Sequence, residues 1–394
     1  MRIHSLSKSP PFLSRSPHRP TSRWIHPLYA EPHFVARIAA VVSNGCSPDP
    51  RAIREARWCA EQGHEVVIHA FDRRESLPVD EIIDGVQIIR HRVGFVPYGG
   101  TWSTWRGLRR FLASVTASIG PVDLLHCHDA DTLPLARSMA DTPILFDMHD
   151  LHHTWIRMPA PNSPIRRLIS SRMKRSMLRR AKTASSIITS STGFSNWLQN
   201  RGLNSVVVEN RPPRGDPLPF PERLTIGYFG RVREVEPFKL LFQAVMGLPE
   251  KNRPRIIIAG DGTKFQEVQL LASSHTELDV EVRDSFNQTE LPNMMSEISL
   301  MFAMYSPQRG NIEDGALPSK MFEAAAYGRP SIVNANTPMG ILCESENLGS
   351  TVEWGDSQTL ASVIGSVEVS KVTLEIDESR ERERFLGVLN QLKI

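Results

Sequence analysis

The chain has 394 residues, more than one hydrophobic core usually serves, so two domains are the default expectation. With 40% hydrophobic and 23% charged residues and a net charge of +3, it reads as an ordinary globular protein without the basic excess of a nucleic-acid binder. Its four cysteines (Cys46, Cys59, Cys127, Cys343) form no CxxC pair, which argues against a zinc knuckle or disulfide framework and for a reducing cytoplasmic setting, and no apolar run reaches the roughly 18 residues of a membrane span.

Residues 1–34 are rich in Ser, Pro and Arg, carry Glu31 as their only acid and lack the apolar core of a secretory signal. Such composition buries too little apolar surface to fold, so a disordered extension or misassigned start is favoured over a transit peptide. Ordered sequence begins with Val35 to Ser43, an apolar run ending in Asn44-Gly45 and the Pro48-Asp49-Pro50 loop. Arg51 to Gln62 has helical periodicity with Gly63 as its stop, and His64 to Ala70 reads as a second strand. This βαβ opening implies a parallel sheet, and the absence of GxGxxG after the first strand argues against a dinucleotide cofactor. Strands at 86–90, 124–127, 144–147, 186–189 and 205–208 alternate with helices at 105–119, 132–140, 165–181 and 193–200. The Pro- and Gly-rich stretch 210–217 reads as a linker, which bounds a first domain at 35–213. A second βα series fills 214–375, with strands at 224–229, 255–259, 280–282, 299–304 and 331–334 and helices at 238–246, 319–327 and 359–365. A last helix spans 378–392.

Open parallel sheets bind ligands outside the carboxyl ends of their strands, where the unusual residues of this chain fall. The densest group is Asp314 to Pro330, DGALPSKMFEAAAYGRP. Pro318 and Ser319 sit where helix starts favour them, Lys320 adds a full charge beside the free N–H groups, and Glu323, one turn on, can accept two hydrogen bonds from a vicinal diol. The combination suits a sugar nucleotide, with diphosphate at the helix start and ribose on the carboxylate. On this window alone, a plain helix start with solvated Lys320 and Glu323 reads equally well.

The segment closely resembles the LPSKxFEAxAxGxP signature of family 4 glycosyltransferases, retaining enzymes of the GT-B type, and the resemblance extends from about Arg37 to Asp356. It implies an α/β fold of two facing Rossmann-like domains with parallel sheets and an inter-domain cleft, and a C-terminal stretch (376–394) that crosses back to the first domain. His126-Cys127-His128-Asp129 resembles the family's HxHD segment, and Asp147-Met148-His149-Asp150 its DxHE segment with Asp where Glu is usual. By that resemblance His128 faces the transferred sugar, while Asp129, His149 and Asp150 line the cleft floor or acceptor side. Asp49-Pro50-Arg51 and Arg54 resemble the loop and helix start that approach donor and acceptor.

Gly230-Arg231 resembles the element whose Arg contacts the donor diphosphate, but Glu236 stands where a Lys is usual, leaving Lys239 or Lys320 to supply the charge. Gly260-Asp261-Gly262 resembles the loop near the nucleobase. Gly315 occupies the place of a first Glu, so that the Asn311 to Gly315 amides would substitute at the donor sugar, with Glu313 or Asp314 as compensating acids. Met339-Gly340, Glu344 and Asn347 to Gly349 resemble the downstream segment near the donor.

Other readings of the histidine-rich motif stay open. A metallo-hydrolase HxHxDH pattern fails at Ala130 and Asp131, Asp129-Ala130-Asp131 matches a cation-holding DxD by a short triplet, and strand-end histidines are often structural, His152 and His153 above all. The resemblance implies a hexose moved from a nucleotide-sugar, itself a substrate, to a polysaccharide, glycolipid or other acceptor, with no metal or cofactor in the chemistry. An epimerase or hydrolase of the same architecture, and a non-catalytic nucleotide-binding relative, are the rivals. Finally, 165–182 is basic and acid-free, with Ile165, Leu168, Ile169 and Met173 at helical spacing, which predicts either a packed amphipathic helix or a surface for anionic lipid at the inner face of the membrane.

Overall fold

The computed structural model describes residues 34–97, 101–139, 141–158, 160–366 and 370–394; the expected extension lies outside these but for its last residue. In chain order the first lobe runs β1 (Arg37–Val42), α1 (Pro50–Glu61), β2 (Glu65–Phe71), β3 (Asp80–Ile83), β4 (Val86–His91), α2 (Thr101–Ser118), β5 (Leu124–His128), β6 (Ile144–Met148), α3 (His152–Trp155), α4 (Pro164–Ala181), β7 (Ser186–Thr189), α5 (Thr192–Gln199) and β8 (Val206–Val207). The second runs β9 (Thr225–Phe229), α6 (Glu236–Met246), β10 (Arg255–Ala259), α7 (Phe265–Ser273), β11 (Val280–Arg283), α8 (Leu291–Ser296), β12 (Leu300–Ala303), α9 (Ser319–Ala326), β13 (Ser331–Asn334), α10 (Pro338–Ser345), β14 (Gly349–Val352) and α11 (Ser357–Ser366), before α12 (Glu378–Gln391).

The central strands are almost wholly apolar because helices cover both faces of each sheet. Among the described residues the first sheet has the order β3-β4-β2-β1-β5-β6-β7-β8 and the second β11-β10-β9-β12-β13-β14. Pairing is parallel throughout except for the edge hairpin β3–β4. Its Asp84-Gly85 turn, with φ of 50° and 79°, is a short-range hairpin signal that the strand reading passed over. Both lobes are therefore Rossmann-like.

The helix expected at 132–140 is instead a single 3-10 stretch, Leu133–Arg137. Thr132 explains this: its hydroxyl donates to the carbonyls of His128 and Asp129, and Pro134 follows. The strand expected at 205–208 shrinks to Val206–Val207, and α7, α8 and α10 are helices that the periodicity reading did not name.

The last helix packs on the first lobe. Phe385 meets Trp58 of α1 with ring centroids 5.6 Å apart, and Glu381 accepts from the Glu209 backbone at 2.7 Å. Between the lobes, fully buried Arg211 binds Glu209, the Glu346 carboxylate and the Ile376 carbonyl, and its guanidinium lies 4.4 Å above the ring of Phe322 on α9. Removing the anchor ring by Phe385→Ala should cost about 3–5 kcal/mol of stability, read as a lower urea midpoint. An unchanged midpoint would show that α12 is not integral to the fold.

Candidate active site

The loops at the carboxyl ends of both sheets meet. In the first lobe, β5 and β6 pair His128 with Asp147, and the side chains there form a continuous charged network. Arg51 holds Asp147 bidentately at 2.7 Å, donates to the Val208 carbonyl at 2.6 Å and lies 3.1 Å from Glu55. It is only 5% exposed, so Arg51 supports the floor from beneath and does not line the cleft as expected; a charged head with that many internal partners has no reason to reach outward. Asp49 caps α1 through the Ala52 N–H and accepts from Asn44 at 2.7 Å, a structural task.

His128 and His149 converge on Asp147 Oδ2 at 3.2 and 2.7 Å. Burial alone would lower the pKa of His149, but Asp147 and Asp129 overcome it and lift it to about 9. His152, 3.1 Å from Asp129, is likewise lifted to about 10 against burial, while burial's upward push on Asp129 yields to His152 and His149, leaving it near 2. Asp129 itself adopts φ 63°, a left-handed conformation that aims its carboxylate at the His149 N–H and both imidazoles. His149, Asp129 and His152 are the partly exposed members; His128 is buried, with Nε2 unpartnered.

Glu55 was missed by sequence reasoning, since an acid inside an amphipathic helix normally faces water. Here it is fully buried, burial lifts its pKa to about 8 against the pull of Arg51, and its oxygens have no hydrogen-bond partner. Glu55, His126, His128 and Asp147 offer atoms all within 4.8 Å of one another, a spacing a metal ion tolerates. The Arg51 guanidinium already contacts both acids and balances the charge of Asp147, so an entering cation would meet a fixed like charge.

In the second lobe, Gly230 ends β9 with φ 125°, beside the Lys320 ammonium. A Cβ at Gly260 would lie 1.9 Å from the Gly230 carbonyl, so β9 and β10 can end this close only without side chains; Gly262 abuts Val232 in the same way. Pro318 stands at the N-cap of α9 and offers no side-chain cap, leaving the first N–H groups of the helix uncapped by it. Lys320, 7% exposed, has no hydrogen-bond partner and rests 3.1 Å above the Tyr228 ring. Burial holds its pKa well below the usual lysine value. Glu323 is one turn on, bonded to the Ser319 side chain, its pKa raised by burial and lowered by Lys320.

Two expected phosphate ligands are not gathered with Lys320. Arg231 is largely exposed and pairs with Asp261 at 3.2 Å, and Lys239 sits 3.8 Å from Glu236 on the open side of α6. Both are drawn outward by a carboxylate within reach. Their nearest replacements are Arg233 and Arg309, named by no motif.

Gly315 does not present its amide to an open donor pocket. It takes φ 133° and packs against α5 of the other lobe, where an added Cβ would lie 2.6 Å from the Phe194 nitrogen and 2.7 Å from Gly193 Cα. A Glu there would separate the lobes. Its loop is closed by Gly315 N–H donating to the Asn311 carbonyl, and Asn311 donates across the gap to Asp150 at 2.6 Å. Asp150 also accepts from Trp155 of its own lobe at 3.2 Å, so both its oxygens are already engaged.

Comparison with known families decides the class. A glycosyl transferase 4-like domain matches residues 49–214 and a glycosyl transferases group 1 domain matches 223–367. The chain belongs to the GT4-like glycosyltransferases. No curated protein matches this glycosyltransferase in sequence. Solved structures match its GT-B fold across both lobes. Sucrose-phosphate synthase from Thermosynechococcus elongatus aligns at TM-score 0.69 and 16% identity, covering 91% of this chain and 96% of that one. Anabaena HepE in complex with UDP-glucose gives 0.62 and 16%, covering 91% and 98%. Trehalose 6-phosphate synthase from Burkholderia multivorans gives 0.59 and 12%, covering 92% and 93%. In this glycosyltransferase, Gly315→Ala should lower stability by more than about 1 kcal/mol, since both the positive φ and the Gly193 contact oppose a Cβ. A thermal midpoint equal to wild type would contradict the close lobe contact.

Proposed function

We propose that the chain is a retaining hexosyltransferase that takes a sugar from a nucleoside-diphosphate donor and passes it to a saccharide or lipid-linked saccharide. One observation carries the reading: a buried lysine amine with no hydrogen-bond partner at the start of α9, with a carboxylate one turn on. A diphosphate would supply the missing anion for Lys320, and the ribose hydroxyls would donate to Glu323. Fold relatives solved with UDP-glucose support this class of donor.

In the proposed reaction the acceptor oxygen attacks the anomeric carbon as the carbon–oxygen bond to the diphosphate breaks. The departing phosphate, on the same face, takes the acceptor's proton. Lys320 and the α9 amides stabilise the charge that develops on that phosphate, in a site where fixed donors need no reorganisation. The His149–Asp129–His152 network provides a charged floor for sugar hydroxyls. No step calls for a metal.

A thermal-shift screen over UDP-, GDP-, ADP- and CMP-sugars names the donor, and Glu323→Ala should weaken its use at least tenfold, because each lost charge-assisted bond is worth about 1.5–3 kcal/mol. Unchanged donor kinetics would remove Glu323 from the ribose. Sugar-nucleotide conversion without any acceptor would favour an epimerase or hydrolase instead.

We also propose peripheral contact with anionic lipid through α4. Among the described residues no helix is long and apolar enough to cross a membrane. On α4, Ser170, Met177 and Ala181 make the buried stripe, while Ile165 and Leu168 are 69% and 54% exposed among Arg167, Arg172, Arg175 and Arg179. Outward apolar residues framed by arginines suit a headgroup layer. The chain should float with vesicles containing phosphatidylserine at low salt and detach at about 0.5 M salt, where screening shortens to a few ångströms. Absence of flotation at low salt would end the idea.

A further inference from the structure

Around Lys320 stand two more cations that form no salt bridge among the described residues. Arg309 lies 5.0 Å above the Tyr305 ring, the same ring whose centroid is 5.8 Å from the Lys320 ammonium. Arg233 follows Gly230 on the loop leaving β9 and lies 4.5 Å above Trp155, a residue of the opposite lobe. Neither guanidinium has a carboxylate within salt-bridge distance among the described residues, whereas Arg231, Lys239 and Lys264 each have one. The acid nearest in sequence, Glu234, forms no salt bridge with either among the described residues; burial lifts its pKa to about 6, and the charge of Arg309 only partly offsets that. Both arginines lower the proton affinity of Lys320, as like charges in one low-dielectric space do.

Half-buried cations that gather without a directly paired anion are unfavourable unless something else neutralises them. Each is held on an aromatic face, which supplies a modest attraction and leaves the N–H donors free for an incoming ligand.

We infer that Arg233 and Arg309, rather than Arg231 or Lys239, join Lys320 in holding the donor's diphosphate, and so replace the charge that Glu236 cannot supply. The inference rests on the reading of a nucleoside-diphosphate donor and adds which residues grip it. Planar guanidinium groups suit the task because they bind phosphate oxygens in pairs. Arg233 links that grip to lobe contact, since its resting place is a first-lobe tryptophan.

Binding of UDP, GDP and ADP to the full chain, measured by calorimetry, tests this. For the nucleoside diphosphate that binds wild type, Arg233→Gln and Arg309→Gln should each raise Kd about tenfold or more, as loss of a charge-assisted pair does. The corresponding monophosphate should respond to both by no more than about threefold, having lost the second phosphate. Arg309→Lys should recover part of the loss, and Lys264→Gln should bind as wild type. Wild-type binding with both glutamine variants unaffected, or a loss confined to Arg231→Gln, would overturn the assignment. Failure of wild type to bind any of the three diphosphates would overturn the donor reading itself.

Discussion

Lys320 has its ammonium inside the protein with no hydrogen-bond partner, on the face of Tyr228. Leaving a charge in that state costs several kcal/mol relative to water, and a fold tolerates it only where the surrounding structure is rigid and a ligand repairs it. The surroundings meet the first condition. β9 delivers Gly230 without a side chain to the ammonium, and α9 is fixed from behind by Arg211 on Phe322. Arg211 in turn joins the linker to Glu346 and to the chain near Ile376, so one buried guanidinium connects α9, linker and C-terminal return.

The first lobe is built on the opposite principle. Its buried charges are mostly matched, from Arg51 with Asp147 through His149 with Asp129 to His152. Such a network holds side chains in fixed places and leaves little net charge to attract an anion. The lobe with paired charges suits hydroxyl recognition; the lobe with unpaired cations suits phosphate. The proposed division of labour is chemical as well as topological.

Two departures from the family pattern, Asp150 for Glu and Gly315 for Glu, fall in one contact. The Asn311 to Gly315 loop reaches Asp150 with its first residue and Gly193 with its last. A longer acid at either place would need the lobes to stand further apart. The substitutions are therefore mutually consistent, and they belong to lobe contact.

Much of this was legible along the chain. Apolar strand runs alternating with helical periodicity specified two parallel sheets, because a strand buried on both faces has no other composition, and the α9 segment offered Lys320 and Glu323 as candidates that the family resemblance, not local spacing, preferred to a solvated helix start. What periodicity could not report was which charged side chain turns inward. Arg51 and Glu55 share a helix with exposed residues, Arg231 and Lys239 carry the motif yet find carboxylates outside, and Arg233 and Arg309 carry none yet gather on aromatic rings. Burial, pairing and charge balance depend on residues more than a hundred positions apart, as Asn311 with Asp150 shows, so only the packed structure decides them.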